Sequence, residues 1–144
     1  MEEKEIMSKT IHEISIADFE TFTKKFTQED TENYAVLSED FNPAHMDEEY
    51  ASKSIFKKRI VHGMFVSSMF STIFGMKLPG VGSIYTKQSL KFKKPVYFGD
   101  EITAKVVVSE ILLDRNRVIF ECTATNQLGE IVIEGQAEIM PPRE

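Results

Sequence analysis

The sequence is poor in cysteine, and this narrows the kinds of site that it can build. Cys122 is the single cysteine among 144 residues, so an intramolecular disulfide framework and a cysteine-based zinc site are both excluded. Cys122 lies in an alternating, strand-like stretch, where a small buried hydrophobe is favoured over a reactive nucleophile. The chemistry of this chain is therefore expected elsewhere.

Long apolar runs and an excess of positive charge are also missing. No run approaches the roughly 18 apolar residues that a membrane-spanning helix needs, and residues 1–10 lack the apolar core of a secretory signal. The net charge of -6 argues against nucleic acid or a membrane surface as the main partner, although a local basic patch can still bind an anionic small molecule. These features predict a cytoplasmic protein.

Several catalytic and cofactor motifs are absent. The sequence has neither of the glycine-rich loops that bind nucleotide phosphates, and it has no G-x-S-x-G nucleophile motif. Its three histidines, His12, His45 and His62, do not have metal-ligand spacing. We therefore expect no metal and no bound cofactor.

The first half of the chain predicts a strand and short helices. Residues 1–18 are predicted to be a flexible N-terminal segment, and residues 19–144 a single domain. Residues 19–26 alternate in character and favour a strand. Thr27 can cap a helix that runs to Leu37 with Tyr34 and Leu37 facing inward. A second, short helix is expected within residues 46–54, with Asp47 as its N-cap.

Residues 62–76 contain no Asp, Glu, Lys or Arg, and their large side chains surround the whole helical circumference. Such a helix is expected to be buried on all sides, and it is followed by strand-like segments at residues 83–92, 101–113, 118–126 and 131–140, separated by turn residues. This order predicts an α+β domain in which a curved antiparallel sheet wraps around a long buried central helix. Edge strands of such a sheet commonly pair across a dimer axis, which predicts a homodimer.

Residues 38–45, S-E-D-F-N-P-A-H, carry an acid and an imidazole on either side of Asn42-Pro43. Asn-Pro biases the chain into a turn, which lets Asp40 and His45 converge and share general acid–base work. The alternative is that Asp40 only caps a turn and His45 is structural. A basic patch follows at Lys57, Lys58 and Arg59, and it fits either a solvated loop or a phosphate contact.

Residues 38–47 resemble the hydratase signature of the MaoC-like family, the (R)-specific enoyl-CoA hydratases of the hot-dog fold. Three further segments are similar to this family: I-V-H-G-M at residues 60–64, G-x-G-S-I-Y at 80–85 and P-V-Y-F-G-D-E at 95–101. The resemblance spans residues 22–141. The chain departs from it at Glu39, where many relatives have glycine.

The resemblance implies reversible syn addition of water to a trans-2-enoyl-CoA, giving the (R)-3-hydroxyacyl-CoA. Asp40 would be the general base on the water, and His45 would hold that water and help to deliver the proton to Cα. The backbone N–H of Gly63 would stabilise the charge on the thioester oxygen. His62 would be a structural support, and Asn42 would shape the loop beside the substrate. Coenzyme A would be part of the substrate, with no separate cofactor.

The resemblance also implies a binding site for the rest of the substrate. Ser71 and Phe74 would line an acyl tunnel suited to short-to-medium chains, and Lys57, Lys58 and Arg59 would contact the coenzyme A phosphates. Two other functions stay open at this point. One is a hot-dog acyl-thioesterase or acyl-carrier-protein dehydratase, and the other is a non-catalytic domain that binds acyl-CoA.

Overall fold

The computed structural model describes residues 6–144, and its helices and strands follow the predicted order. Two 3-10 turns lie at Ile11–Glu13 and Leu113–Arg115. Among the described residues, no helix is both long and apolar enough to cross a bilayer. The regular elements are β1 (Phe19–Lys25), α1 (Gln28–Ser38), α2 (Pro43–Met46), α3 (Glu48–Ser52), α4 (Gly63–Met76), β2 (Ile84–Phe92), β3 (Glu101–Leu112), β4 (Arg117–Thr125) and β5 (Ile131–Met140).

The strands form one 5-stranded sheet in the order β1-β3-β4-β5-β2, and every neighbouring pair is antiparallel. β1 and β2 are therefore the two edges. The predicted strands at residues 101–113 and 118–126 are confirmed, and every second side chain of these central strands points into the core. These inward side chains are Ile102, Ala104, Val106 and Val108 of β3 and Val118, Phe120, Cys122 and Ala124 of β4.

The central helix α4 packs one face against the concave side of the sheet, which confirms the predicted architecture. Burying each large apolar side chain there contributes about 1.5–3 kcal/mol relative to leaving it in water. The buried side chains of α4 are Val66, Met69, Phe70, Ile73 and Phe74.

The expectation that α4 is buried on all sides is wrong for the single chain. Met64 is 61% exposed and Met76 is 49% exposed, and Ser68, Ser71 and Thr72 on the same side are also exposed. We call these five residues the exposed stripe of α4. The stripe exists because the sheet covers only one side of the helix.

Helix α1 begins where the sequence predicts. The Thr27 hydroxyl accepts a hydrogen bond from Asp30 N at 3.1 Å, and the Asp30 carboxylate accepts one from Thr27 N at 3.2 Å. The predicted inward position of Leu37 is wrong, because its side chain is 84% exposed. Thr31 and Ala35 are fully buried instead, and Leu37 lies about 200° around the helix from Ala35.

The folded domain begins before Phe19, the start predicted from the sequence. Ser8 pairs with Gly80 as an isolated β-bridge, and the side chains of Ile11 and Ile14 are packed in the hydrophobic core. These contacts fix part of the segment that was predicted to be flexible. Its first residues, 1–5, lie outside the described residues.

Candidate active site

The loop between α1 and α2 is folded by its own side chains. Glu39 ends α1 in the left-handed conformation, at φ 63, which favours glycine. The Ser38 hydroxyl accepts from Asp40 N at 3.2 Å, Asp40 Oδ1 accepts from Asn42 N at 3.2 Å, and Asn42 Oδ1 accepts from Ala44 N at 3.0 Å. Asn42 therefore shapes the loop by capping α2, a helix that the sequence analysis missed. The signal for this helix was present, since Asn followed by Pro is a typical helix start.

The turn at α2 brings His45 to Asp40. Ligand-type atoms of Asp40, His45 and His62 all lie within 4.8 Å of one another. His45 Nδ1 lies 2.8 Å from the carbonyl oxygen of Ile60. Because a carbonyl only accepts, this contact assigns the proton to Nδ1 and leaves Nε2 with a free lone pair. The site thus contains one carboxylate and one imidazole nitrogen that can accept a proton.

His62 contacts both Asp40 and His45. Its Nε2 donates to the main-chain carbonyl of Asp40 at 2.9 Å and lies 4.0 Å from the Asp40 carboxylate. Its ring stacks on the His45 ring, with the centroids 3.8 Å apart, and contacts the Tyr34 ring at 4.7 Å. The side chain is 2% exposed, so it cannot reach a substrate directly.

The environment of His45 keeps its imidazole neutral. Burial lowers the pKa of His45 below its ordinary value of 6.5, and the neighbouring His62 lowers this pKa further. The Ile60 carbonyl and Asp40 act in the opposite direction without cancelling the effect. The charged form loses more solvation than its partners return. At neutral pH His45 is therefore a proton acceptor at Nε2.

The cluster of Asp40, His45 and His62 is compact enough for metal coordination, so its hydrogen bonds decide whether it suits a metal. His62 Nε2, the ring nitrogen nearest the Asp40 carboxylate, is occupied as the donor to the Asp40 carbonyl. A cation bound there would be repelled by the proton on His62 Nε2. Its binding would otherwise require the other tautomer of this buried ring, which loses the hydrogen bond to the Asp40 carbonyl. The arrangement fits proton transfer better than metal binding.

Gly63 begins α4 directly after His62. A side chain at Gly63 would place its Cβ 2.7 Å from Cε1 of Phe92, so only glycine allows this ring to lie against the helix start. The start is also attached to the chain before β3, because Val61 N donates to the Val96 carbonyl at 2.8 Å. The close neighbour of Gly63 is therefore the Phe92 ring.

A cavity of about 400 Å³ opens at Gly63, with mostly apolar walls that include Met64, Phe92 and Val96. Lys93 and Lys94 also line it. Lys93 Nζ lies 3.5 Å from Glu134, and Lys94 pairs with Glu130. The sequence predictions give these two lysines no role, although they place two positive charges directly before Pro95.

A second opening, of about 410 Å³, lies between the exposed stripe of α4 and strand β2, and we call it the α4–β2 groove. Ser71 lines the α4–β2 groove together with Ser67, Tyr85 and Gln88. Phe74 is 2% exposed and lies behind the groove, with its ring 5.3 Å from that of Tyr85. Of the two predicted tunnel residues, Ser71 thus lines the groove. Phe74 does not line it and affects its shape only through the contact with Tyr85.

The basic patch divides into two parts. Lys57 and Lys58 are exposed, and Lys58 Nζ lies 5.2 Å from the ring centroid of Tyr97. Arg59 is only 9% exposed, and its Nε donates to the carbonyl of His45 at 2.6 Å. The structure therefore separates Arg59 from the phosphate contacts predicted for this patch, because its guanidinium faces the protein interior.

The fold and the site together define a class of protein. An antiparallel sheet curves around one helix, and a carboxylate and a neutral imidazole meet at the head of that helix. This is the hot-dog fold, with a carboxylate and an imidazole close together at the head of its central helix. Comparison with known proteins agrees: the family model described as MaoC like domain matches residues 13–130. The chain belongs to the MaoC-like domain family.

Individual relatives are similar over most of their length. The chain is 44% identical to the (R)-specific enoyl-CoA hydratase of Rhodospirillum rubrum, covering 85% of this chain and 84% of the relative. It is 39% identical to a mitochondrial 3-hydroxyacyl-[acyl-carrier-protein] dehydratase of Arabidopsis thaliana, covering 95% and 82%. Among solved structures, the unliganded R-hydratase PhaJ1 from Pseudomonas aeruginosa superposes with a TM-score of 0.90 at 36% identity, covering 96% of this chain and 89% of that one.

Proposed function

We propose that this protein is an (R)-specific enoyl-CoA hydratase, a hydro-lyase that reversibly adds water to a trans-2-enoyl-CoA to give the (R)-3-hydroxyacyl-CoA. One observation carries the proposal. A carboxylate and an imidazole with a fixed tautomer meet within 4.8 Å at the head of the central helix. Adding water to an activated alkene requires a base for the water and a proton for Cα, and this pair provides both.

The hydrogen bonds support a separate part for each group. Asp40 Oδ1 is engaged by Asn42 N, which leaves Oδ2 to act as the general base on a water molecule. His45 Nε2 accepts the other hydrogen of the same water and so aligns its oxygen with Cβ. As the C–O bond forms at Cβ, the proton taken from water is delivered to Cα on the same face. Water is the only co-reactant, and no electrons are gained or lost.

The addition places negative charge on the thioester oxygen. The backbone N–H of Gly63 lies at the N-terminus of α4, where the helix dipole favours negative charge. A preorganised N–H in an apolar cavity stabilises such charge at little reorganisation cost. We assign the thioester to the Gly63 cavity, where the walls are mostly apolar.

The rest of the substrate is assigned to the surfaces on either side of Gly63. The acyl chain would enter the α4–β2 groove, where Ser71 lies on the wall and Phe74 supports Tyr85 from behind. This support limits the depth of the groove and favours short-to-medium acyl chains. Lys57 and Lys58 are exposed and available for the coenzyme A phosphates.

We also propose that the protein works as a homodimer in the cytoplasm. Strand β2 is an unpaired edge, and Ile84 and Phe92 on it are more than half exposed. Pairing two β2 edges would cover this apolar surface and the exposed stripe of α4 beside it. The lone cysteine, Cys122, needs no oxidising compartment. Sedimentation equilibrium tests the dimer, and a monomer at micromolar concentration contradicts it.

The loss of enoyl absorbance from crotonyl-CoA, without added metal or nucleotide, tests the activity. We expect Asp40→Asn and His45→Gln each to lower kcat about 10²–10⁴-fold while the protein stays folded. Asp114→Asn and His12→Gln are matched controls, because both residues are exposed and lie outside the site. If Asp40→Asn and His45→Gln keep rates near those of the controls, the assignment of the pair is wrong.

A second candidate is dehydration of acyl-carrier-protein thioesters, which the similarity to the Arabidopsis dehydratase favours. The chemistry is the same and only the carrier differs. Rates on matched crotonyl thioesters of coenzyme A and acyl carrier protein decide between the carriers. The same assays separate the remaining alternatives, since a thioesterase releases free thiol and a non-catalytic domain binds acyl-CoA without turnover.

A further inference from the structure

We propose that Arg59 is a positioning residue that holds the main chain of His45 and thereby sets the place of its imidazole relative to Asp40. It is not a contact for the phosphates of coenzyme A. The inference rests on the function proposed above for His45. It gives Arg59 a role that differs from that of its neighbours Lys57 and Lys58.

The guanidinium of Arg59 is engaged by the protein on three sides. Its Nε donates to the carbonyl oxygen of His45 at 2.6 Å, and one terminal nitrogen lies 3.7 Å from the carboxylate of Glu32 in α1. Its central carbon lies 5.0 Å from the ring centroid of Phe98. A buried cation persists only when such partners offset its lost hydration. At 9% exposure, Arg59 cannot also reach a ligand in solvent.

Helix α2 needs this outside support. It comprises only Pro43–Met46, far shorter than the roughly 12 residues at which an isolated helix becomes marginally stable. The carbonyls of its last turn have no partner within the helix, and the carbonyl of His45 is one of them. Arg59 provides a donor for this carbonyl and places a cation at the negative end of the helix.

Ile60, the residue after Arg59, also forms hydrogen bonds with helix α2. Ile60 N donates to the carbonyl of Ala44 at 3.2 Å, and the Ile60 carbonyl accepts from His45 Nδ1 at 2.8 Å. Ile60 also pairs with Tyr97 as an isolated β-bridge. The backbone and the ring of His45 are therefore both attached to residues 59–60, and this segment is attached in turn to the chain before β3.

Losing Arg59 should therefore displace the imidazole and leave substrate binding intact. A misplacement of about 1 Å in a catalytic group can cost about 10²-fold in rate. A phosphate contact would behave differently. Its loss would raise KM for coenzyme A thioesters and would have no effect on a thioester without phosphates.

The test compares crotonyl-CoA with the crotonyl thioester of N-acetylcysteamine, which has no phosphate. We expect Arg59→Met to lower kcat/KM by about 10–100-fold on both substrates, with KM for crotonyl-CoA changed less than about threefold. Arg59→Lys keeps the charge but has no planar fork, and we expect an intermediate loss. Lys58→Met is the contrasting variant: Lys58 is an exposed cation proposed for the coenzyme A phosphates, so its loss should raise KM for crotonyl-CoA and leave the rate on the thioester without phosphate unchanged. For Arg59→Met, a loss confined to crotonyl-CoA, or no loss, would overturn the proposal.

A second measurement does not depend on turnover. The Cε1–H signal of His45, followed by NMR as pH is varied, reports the surroundings of the imidazole. In Arg59→Lys we expect the midpoint to move from its depressed position towards the ordinary 6.5, because the ring leaves its buried place between the Ile60 carbonyl, His62 and Asp40. An unchanged midpoint in this folded variant contradicts positioning. A wild-type protein without hydratase activity would instead contradict the proposed function, whatever the NMR result.

Discussion

Two regions of the buried interior, the middle of α4 and the head of α4, are held together by different kinds of contact. Along the middle of α4, side chains such as Phe70 and Ile73 are 1% and 0% exposed and contact apolar groups of the sheet. At the head of α4, His62 and Arg59 are 2% and 9% exposed, and each donates to a main-chain carbonyl within residues 38–45, which we call the site loop. The apolar region stabilises the fold, and the polar region fixes the positions of Asp40 and His45.

The physical reason lies in the directionality of the two kinds of contact. Apolar burial is nearly independent of orientation, so a core tolerates small shifts at modest cost. Burying a polar group costs free energy unless its hydrogen bond is made, and a hydrogen bond that is made fixes the distance to the partner to within tenths of an ångström. The carbonyls of Asp40 and His45 are held in this way, and their side chains are positioned through them.

The largest effect on stability is expected from Phe70→Ala in the apolar region. The substitution removes a ring that is 1% exposed, and such losses typically lower the free energy of unfolding by about 3–5 kcal/mol. KM and kcat of the remaining folded protein should change little, because Phe70 lies outside the site loop. Urea unfolding followed by circular dichroism measures the first quantity. A tenfold change in KM with full stability would break the comparison.

In the polar region, His62→Phe should have the reverse profile. Phenylalanine keeps a ring between Tyr34 and His45 but cannot donate to the Asp40 carbonyl. We expect kcat to fall about 10–100-fold, which corresponds to about 1.4–2.8 kcal/mol in the barrier. The free energy of unfolding should fall by no more than about 1.5 kcal/mol. Stability and rate are measured on the same preparation, and a variant that unfolds while its folded fraction stays fully active argues against this division.

The pH dependence should sharpen the comparison further. The pKa of His45 lies below 6.5, so the imidazole that accepts at Nε2 is still neutral at pH 6.5 and becomes protonated only at a lower pH. The acid limb of kcat/KM for hydration should therefore fall at a pH below 6.5. Because the pKa of His45 is lowered in the folded state, the neutral imidazole contributes stability that is present above pH 6.5. This contribution is lost as the pH falls through the folded-state pKa. An acid limb centred at or above 6.5 would contradict a buried, neutral His45.

The smallest effect is expected for Leu37→Ser. Leu37 is 84% exposed and belongs to neither buried region, so the free energy of unfolding should change by less than about 0.5 kcal/mol. Ala35→Ser, at a fully buried position of the same helix, is the contrasting variant and should cost more. A loss of more than 1 kcal/mol for Leu37→Ser would mean that another surface covers this side chain in solution.

Where the sequence had a strong periodic signal, the predictions are confirmed. The alternation in β3 and β4 and the uncharged run of α4 gave the right elements, because half-buried strands and core helices repeat with fixed periods. The Thr27 cap is right for a similar reason, since it depends on contacts within one turn. Leu37 and the exposed stripe of α4 were misjudged, because helical spacing states which residues share a face and does not state which face meets the sheet.

For the site, residues 38–45 alone indicated an acid and an imidazole brought together by an Asn-Pro turn. That much follows from local chain geometry. The other contacts of the site could not be predicted, because they join residues that are far apart in the sequence. Arg59 read as part of a basic patch, and His62 as a simple support, because their partners, the carbonyls of His45 and Asp40, belong to the backbone and leave no pattern in the side-chain sequence.

By itself the sequence determined the order of the elements, the apolar character of the core and the turn that brings Asp40 and His45 together, since these depend on periodicity and on short-range turns. Only the tertiary structure decided which nitrogen of His45 is free, why its pKa is lowered and which cation faces inward. Those properties arise from burial and from hydrogen bonds between residues far apart in the chain, such as Ile60 with His45 and His62 with Asp40.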